Sequence, residues 1–252
     1  KGNALGGLAS LISKIPAKNR LADFPHYLMH RAEQLDNLYI FKNTEGTPEN
    51  IRKFHPNIIV SSTGSAPLLP PIAGLKDRID NENHNIYSIL GMISHINDFP
   101  KDLEGKKVVV VGGGAVGLDV VEFFADRNAD ISIVEMMDQI GRDLDPVSKN
   151  DTKTMMKKHN VHQLTKTALL EVKDSSFLVK GDGEPYELPF EYGFVCLGMR
   201  AQGQLYQNLT EEFSSEDVEI MNIGDSQRAR RIIDGTQEGR NILTILEQRG
   251  YL

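Results

Sequence analysis

The sequence predicts an α/β fold organised around a parallel β-sheet, and three observations carry that expectation. Val108–Val111 is an unbroken β-branched run, apolar on both faces as a strand covered by helices must be. A helical stretch, Val116–Asp126, follows at once, and Ile131–Val134 is a second apolar run, so strand, helix and strand alternate. Between the first strand and the helix stands Gly112-Gly-Gly-Ala-Val-Gly117, a turn whose glycines are spaced as a chain needs them when it leaves a strand and enters a helix sharply.

The remaining elements follow in order. Lys1–Gly7 is too glycine-rich for a strand. Leu21, Phe24, Leu28, Ala32 and Leu35 share one stripe of a helix between Arg20 and Asp36, with Pro25 tolerable only near its first turn. Leu38–Phe41 reads as a short strand. Pro48–Phe54 reads as a helix capped by Thr47, and Asn57–Ser62 as an apolar strand. Gly64–Gly74 is dense in proline and glycine, which suits a domain crossing. A helix is expected over Tyr87–Asn97 and another over Pro146–His159. Ala168–Lys173, Phe177–Lys180 and Tyr186–Pro189 form a small antiparallel meander turning at Gly181-Asp-Gly183. Phe194–Leu197 and Val218–Ile223 are strands, and Arg231–Arg249 is the last helix.

Composition narrows the function. The 252 residues carry 28 basic and 35 acidic side chains, a net charge of -7 that opposes binding to a nucleic acid. No apolar run approaches the roughly 20 residues of a membrane span and no leader opens the chain, so no membrane partner is expected and the location is read as cytoplasmic. The single cysteine, Cys196, excludes an internal disulfide, a CxxC redox pair and a cysteine-ligated metal centre made by this chain alone. It reads as a small buried hydrophobe inside a strand. None of Tyr27, Tyr39, Tyr87, Tyr186, Tyr192 or Tyr206 is followed four residues on by lysine, which removes the acid–base pair of a short-chain dehydrogenase. The seven histidines lack metal spacing; His26 and His30, one helical turn apart, read as a solvated face. Met136, Met137, Met155 and Met156 read as packing. No metal ligand and no catalytic side chain is assigned.

The glycine turn is where chemistry enters. Gly112 permits the sharp exit from the strand, Gly114 lets backbone approach a diphosphate, and Gly117 brings the helix close to the strand. At the helix start Ala115, Val116 and Gly117 present unpaired N–H groups and a partial positive charge. Glu135 ends the next strand, 18 residues beyond Gly117, where a carboxylate accepts from both hydroxyls of an adenosine ribose. A 2′-phosphate there would meet like charge, so NAD(H) is expected over NADP(H); Arg142, close in sequence, weakens that preference.

With Ser62-Thr-Gly64 after an apolar strand, GGGAVG with Glu135, Val195-Cys-Leu-Gly198 at a strand end, and Ile223-Gly-Asp225 before the last helix, the chain resembles two-dinucleotide-binding-domain flavoproteins. It is most similar to the C-terminal region of the 2,4-dienoyl-CoA reductase and trimethylamine dehydrogenase group of NADH:flavin oxidoreductases. Ile133–Leu144 and Ile223–Gly239 carry that likeness, and Gly6 and Gly7 match the group's Gly-Gly near the start.

The resemblance implies a Rossmann-like NAD(P)-binding domain, residues 72–216, inserted into a truncated FAD-binding Rossmann-like domain formed by 1–71 and 217–252. Thr63 and Gly64 would mark the crossing, Gly198 would lie beside the nicotinamide path, and Asp225 would approach the flavin, the alternative for Asp225 being a helix N-cap. The group's first GxGxxG segment, its N-terminal flavin barrel and its iron–sulfur cysteines have no counterpart here, and the chain starts at Lys1 rather than methionine. The expectation is a piece of a larger enzyme, with NADH and FAD as ligands and with FMN and an iron–sulfur cluster only in the missing N-terminal part.

Three functions remain open. The first passes hydride from NADH to FAD, for reduction of an enoyl-type or similar acceptor elsewhere in the protein, the isolated fragment being inactive. The second is a structural module holding ADP without hydride transfer. The third is a freestanding NAD-dependent dehydrogenase, against which the absent acid–base residues count.

Overall fold

The computed structural model describes residues 2–251, so Lys1 and Leu252, the outermost residues of the expected flavin domain, lie outside the described residues. The chain gathers into two compact units. The first comprises Lys1–Ser13, Asn19–Ala66 and Met199–Leu252; the second comprises Lys14–Lys18 and Pro67–Gly198.

The first unit opens with α1 (Gly7–Ile12), where the glycine-rich start gives way to a short helix. In α2 (Asp23–Ala32), Pro25 occupies the third position, where no intrahelical N–H partner is needed. The apolar stripe expected along this helix is open to solvent: Leu21, Phe24, Leu28 and Leu35 are all exposed. Leu38–Phe41 forms no strand; all four side chains are exposed and no neighbouring strand supplies the hydrogen bonds that would hold one. In α3 (Pro48–Arg52), Thr47 caps as expected, its hydroxyl accepting from the N–H of Asn50 at 3.2 Å. Then come β1 (Ile58–Ser61) and β2 (Ser65–Pro67).

The second unit runs through α4 (Leu75–Arg78), β3 (Ile86–Tyr87), α5 (Ile89–Ser94), β4 (Lys107–Val111), α6 (Ala115–Ala125), β5 (Asp130–Val134) and α7 (Pro146–Lys158). It continues with β6 (His162–Leu164), the strands β7 (Ala168–Val172), β8 (Ser176–Lys180) and β9 (Tyr186–Pro189), and β10 (Tyr192–Val195). Five strands form one parallel sheet in the order β3-β10-β4-β5-β6, and β7, β8 and β9 pair antiparallel as a separate meander.

Strand β4 lies at the centre of this sheet. Val109 and Val111 belong to a cluster with Val172, Phe177 and Val179 of the meander, whereas Val110 faces α6. Each such buried valine contributes about 1.5–3 kcal/mol, which is why the run admits no polar residue. An aromatic cluster including Tyr87, Phe99, Phe124 and Phe194 fills the unit further, with the Phe124 and Phe194 ring centres 4.8 Å apart.

After Gly198 the chain rejoins the first unit through β11 (Met199–Ala201), α8 (Gln204–Glu212), β12 (Glu219–Asn222), a short 3-10 turn at Gly224–Ser226 and α9 (Ile232–Gln248). Strand β11 neighbours β2, and β12 pairs in parallel with β1, Ile59 opposite Ile220. In this unit α8, which no sequence pattern announced, buries Leu209 and Phe213 with Ile59, with Ile51, Leu205 and Ile220 packed around them.

Candidate functional site

The corner at 112–117 in the second unit is shaped by how closely backbones approach one another. Gly112 has φ +111°, and a Cβ there would stand 2.1 Å from the Cys196 carbonyl oxygen. Its N–H donates to the Val134 carbonyl at 2.8 Å, while the Cys196 N–H donates to Val111 at 2.7 Å. A Cβ on Gly117 would stand 1.9 Å from the Gly112 carbonyl oxygen, so the first turn of α6 rests directly on the strand exit. Gly114 is different. It is exposed, a Cβ there would meet nothing within 4 Å, and no side chain caps the helix start. The N–H groups of Ala115, Val116 and Gly117 thus begin a helix at an open corner, which is where an anion binds a helix.

Glu135 lies at the end of β5, half-buried against this corner. Its Oε2 accepts the Gly113 N–H at 2.6 Å and its Oε1 accepts the Met137 N–H at 2.8 Å. A carboxylate has about four acceptor positions, so each oxygen keeps one for a further donor. These residues fit the adenosine and diphosphate of a dinucleotide: an open anion corner with an oriented diol acceptor beside it. The Gly141 N–H donates to the Gly113 carbonyl at 2.7 Å, which anchors the loop after β5 and leaves Arg142, the next residue, exposed. Met136 is 69% exposed rather than packed, because the chain leaves the sheet at Glu135; Met156 alone of the four methionines is buried.

A cleft of about 380 Å³ between α6 and α7 reaches Ala115. Lys18 enters it with its ammonium 3.0 Å from Asp119 and 3.3 Å from Glu122. Burial holds the Asp119 carboxyl above the ordinary aspartate range despite Lys18; the Lys18 ammonium, which burial disfavours, is raised on balance by Asp119 and Glu122. Asp151, Ser148 and Thr152 complete the polar lining.

Gly198 follows β10 with φ +99°, exposed, its carbonyl accepting the Leu68 N–H at 2.9 Å. Cys196 is buried, and burial pushes its thiol up to about 12. It contributes a carbonyl to the corner, and its thiol stays un-ionised at neutral pH.

In the first unit, the Thr63 hydroxyl donates to the Gln202 carbonyl and the Gly64 carbonyl accepts the Gln202 N–H at 2.9 Å. Asp225 does not cap α9: that cap is Arg231, closed by Asp234. Its carboxylate instead accepts the Ser65 hydroxyl at 2.9 Å and the Arg230 N–H at 3.0 Å, and each oxygen again keeps an acceptor position. No glycine corner like that at 112–117 occurs among the described residues of this unit. His26 and His30 are exposed, and no group of three or more metal-ligating side chains occurs among the described residues. Nor is any described helix long and apolar enough to cross a membrane.

Comparison with known proteins gives the lineage. The NADH oxidase of Thermoanaerobacter brockii is 25% identical over 240 residues, covering 95% of this chain and 35% of that protein. A metal reductase of Desulforamulus reducens is 26% identical over 272 residues, covering 94% and 38%. The chain thus spans little more than a third of the length of these relatives. Among solved structures, a 2-naphthoyl-CoA reductase complex superposes with a TM-score of 0.78 at 22% identity, covering 95% of this chain and 34% of that one. Histamine dehydrogenase from Rhizobium sp. 4-9 gives 0.77 at 15% identity, covering 96% and 37%. These superpositions show that the expected fold of a two-dinucleotide-binding-domain flavoprotein is the one this chain adopts. Residues 30–221 match the family described as pyridine nucleotide-disulphide oxidoreductase, and the chain belongs to that family of oxidoreductases with flavin and nicotinamide cofactors.

Proposed function

We propose that the second unit binds NADH, whose hydride passes to FAD within a larger flavoenzyme of which this chain is one part. The observation that carries the reading is the corner itself. Gly114 stands open at an uncapped helix start, and Glu135 is already oriented by the Gly113 and Met137 N–H groups with acceptor positions to spare. Ala115, Val116 and Gly117 hold the diphosphate through their N–H groups, and Glu135 takes the adenosine diol. A 2′-phosphate would face that carboxylate, so NADH is favoured over NADPH, with Arg142 the residue that limits the preference. Gly198 lies along the nicotinamide path.

Thr63, Gly64 and Asp225 belong to the flavin side, Asp225 offering acceptor positions to a polyol. When bound, the nicotinamide and flavin supply the hydride chemistry, and this chain contributes binding, orientation and charge. No side chain acts as acid, base or nucleophile. The FAD diphosphate site, a flavin barrel with FMN, and an iron–sulfur cluster belong to the rest of the protein. An enoyl-type acceptor is favoured because two relatives, cinnamate reductase of Clostridium sporogenes and 2-naphthoyl-CoA reductase, are named for conjugated carbonyl compounds.

Isothermal titration of the intact protein with NADH and NADPH tests the site. Tighter NADH binding is expected; binding of neither, or preference for NADPH, overturns it. A second reading, a module that holds ADP without hydride transfer, is favoured by the same corner, which recognises only the adenosine half. Anaerobic NADH bleaching the flavin absorbance excludes it; tight NADH binding with no bleaching establishes it.

A further inference from the structure

Glu238 lies midway along α9, and both of its oxygens are committed to the loop that precedes that helix. Oε2 accepts the Gly224 N–H at 2.6 Å, and Oε1 accepts an Arg230 guanidinium N–H at 2.5 Å. These two residues bracket the segment that presents Asp225. Gly224 immediately precedes it, and the Arg230 backbone N–H is the donor to Asp225 Oδ1. Gly235, three residues before Glu238 and on the same helical face, sits close enough that a Cβ would be 3.5 Å from the Gly224 Cα. Helix α9 therefore approaches the 224–230 loop through a residue without a side chain and grips it through the next residue on that face.

We propose that Glu238 is the positioning residue of the flavin-side loop, fixing Gly224 and Arg230 so that Asp225 keeps its two outward acceptor positions. This rests on the assignment of Asp225 to the flavin. The arrangement is a two-carboxylate clamp: Glu238 holds the ends of the loop, and Asp225 holds its own place through Ser65 and Arg230. The Gly224 N–H, and after it the Arg230 guanidinium, hold the Glu238 carboxyl below the ordinary glutamate range, as a working acceptor requires. Without Glu238 the Gly224 N–H and the Arg230 guanidinium both lose their partner, so the segment between them, with the Arg230 backbone N–H that Asp225 accepts, is held less tightly.

The test uses the intact protein with Glu238→Ala, Glu238→Gln and, as a control on an exposed position of the same helix, Glu247→Gln. Amide hydrogen exchange across 224–231, measured without added nucleotide, is expected to quicken about tenfold or more in Glu238→Ala, the scale of losing charge-assisted hydrogen bonds. FAD should bind about tenfold more weakly while NADH affinity is unchanged, a split that general destabilisation would not produce. Glu238→Gln keeps an acceptor for Gly224 and should recover much of the protection and FAD affinity; Glu247→Gln should change neither. Unchanged exchange in Glu238→Ala overturns the proposal. Quickened exchange with FAD affinity unmoved overturns the assignment of Asp225 to the flavin, and loss of NADH affinity in step with FAD affinity overturns the positioning role.

Discussion

The corner at 112–117 and the loop at 224–231 both carry a glycine of positive φ just after a strand and an acidic side chain that accepts backbone N–H groups. They differ in what holds the acid. At the corner, Glu135 is fixed by Gly113 and Met137, the latter two residues away, and the glycines are dictated by backbone atoms standing where side chains would be. At the loop, Asp225 is fixed by Ser65, 160 residues away, and its frame by Glu238 from the following helix. The corner is held through backbone groups alone, whereas the loop also depends on the Ser65 and Glu238 side chains, so backbone and side-chain substitutions should separate them.

The largest effect is expected from Gly117→Ala. A Cβ placed 1.9 Å from the Gly112 carbonyl forces α6 off the strand, which should cost about 3 kcal/mol, read as a lowered urea midpoint for the second unit; an unshifted midpoint would refute the close-approach account. Next is Glu135→Ala, with stability nearly preserved and NADH affinity reduced about ten- to a hundredfold by calorimetry, the loss for NADPH being smaller. Equal losses for both would remove Glu135 from sugar discrimination. Gly114→Ala sharpens the contrast with Gly117. Its backbone, at φ -79° and ψ -179°, accepts alanine and its surroundings are empty. Unfolding should therefore shift by only about 0.5 kcal/mol while dinucleotide affinity falls, because the added methyl stands where the diphosphate approaches.

The smallest response is expected at Cys196. Iodoacetamide at pH 8 should label it in urea but scarcely in the native protein, since burial raises the thiol to about 12. A folded value above the unfolded one, 9.0, means that the contribution to stability is intact below pH 9 and lost as pH climbs from there toward 12. Rapid native labelling would show the strand end to be open.

How far each region can be read from sequence follows from the same distinction. The βαβ unit, its glycines and Glu135 were legible because β-branched runs and glycine spacing are local signals and both elements are long enough to show a period. The meander was legible from its turn glycines. Strand β6 was not, being three residues long with His162 and Gln163 exposed, so no alternation shows. Helix α8 does not announce itself although Leu205, Leu209 and Phe213 lie one turn apart, because polar residues fill the positions between them. The apolar run at 38–41 misled because hydrophobicity alone cannot supply a partner strand. Ser65 and Glu238 carry no local pattern at all; only the fold brings them to residues 224–230.

One further consequence lies in the strand order of the second unit. The central strand β4 pairs with β10, whose residues are synthesised roughly 80 positions later, and Gly112 rests on the carbonyl of Cys196 at the end of that late arrival. At about 5–20 residues per second, a nascent chain waits on the order of ten seconds on the ribosome with its innermost valines uncovered on one edge. The 112–117 corner is therefore among the last parts of the unit to be completed during synthesis.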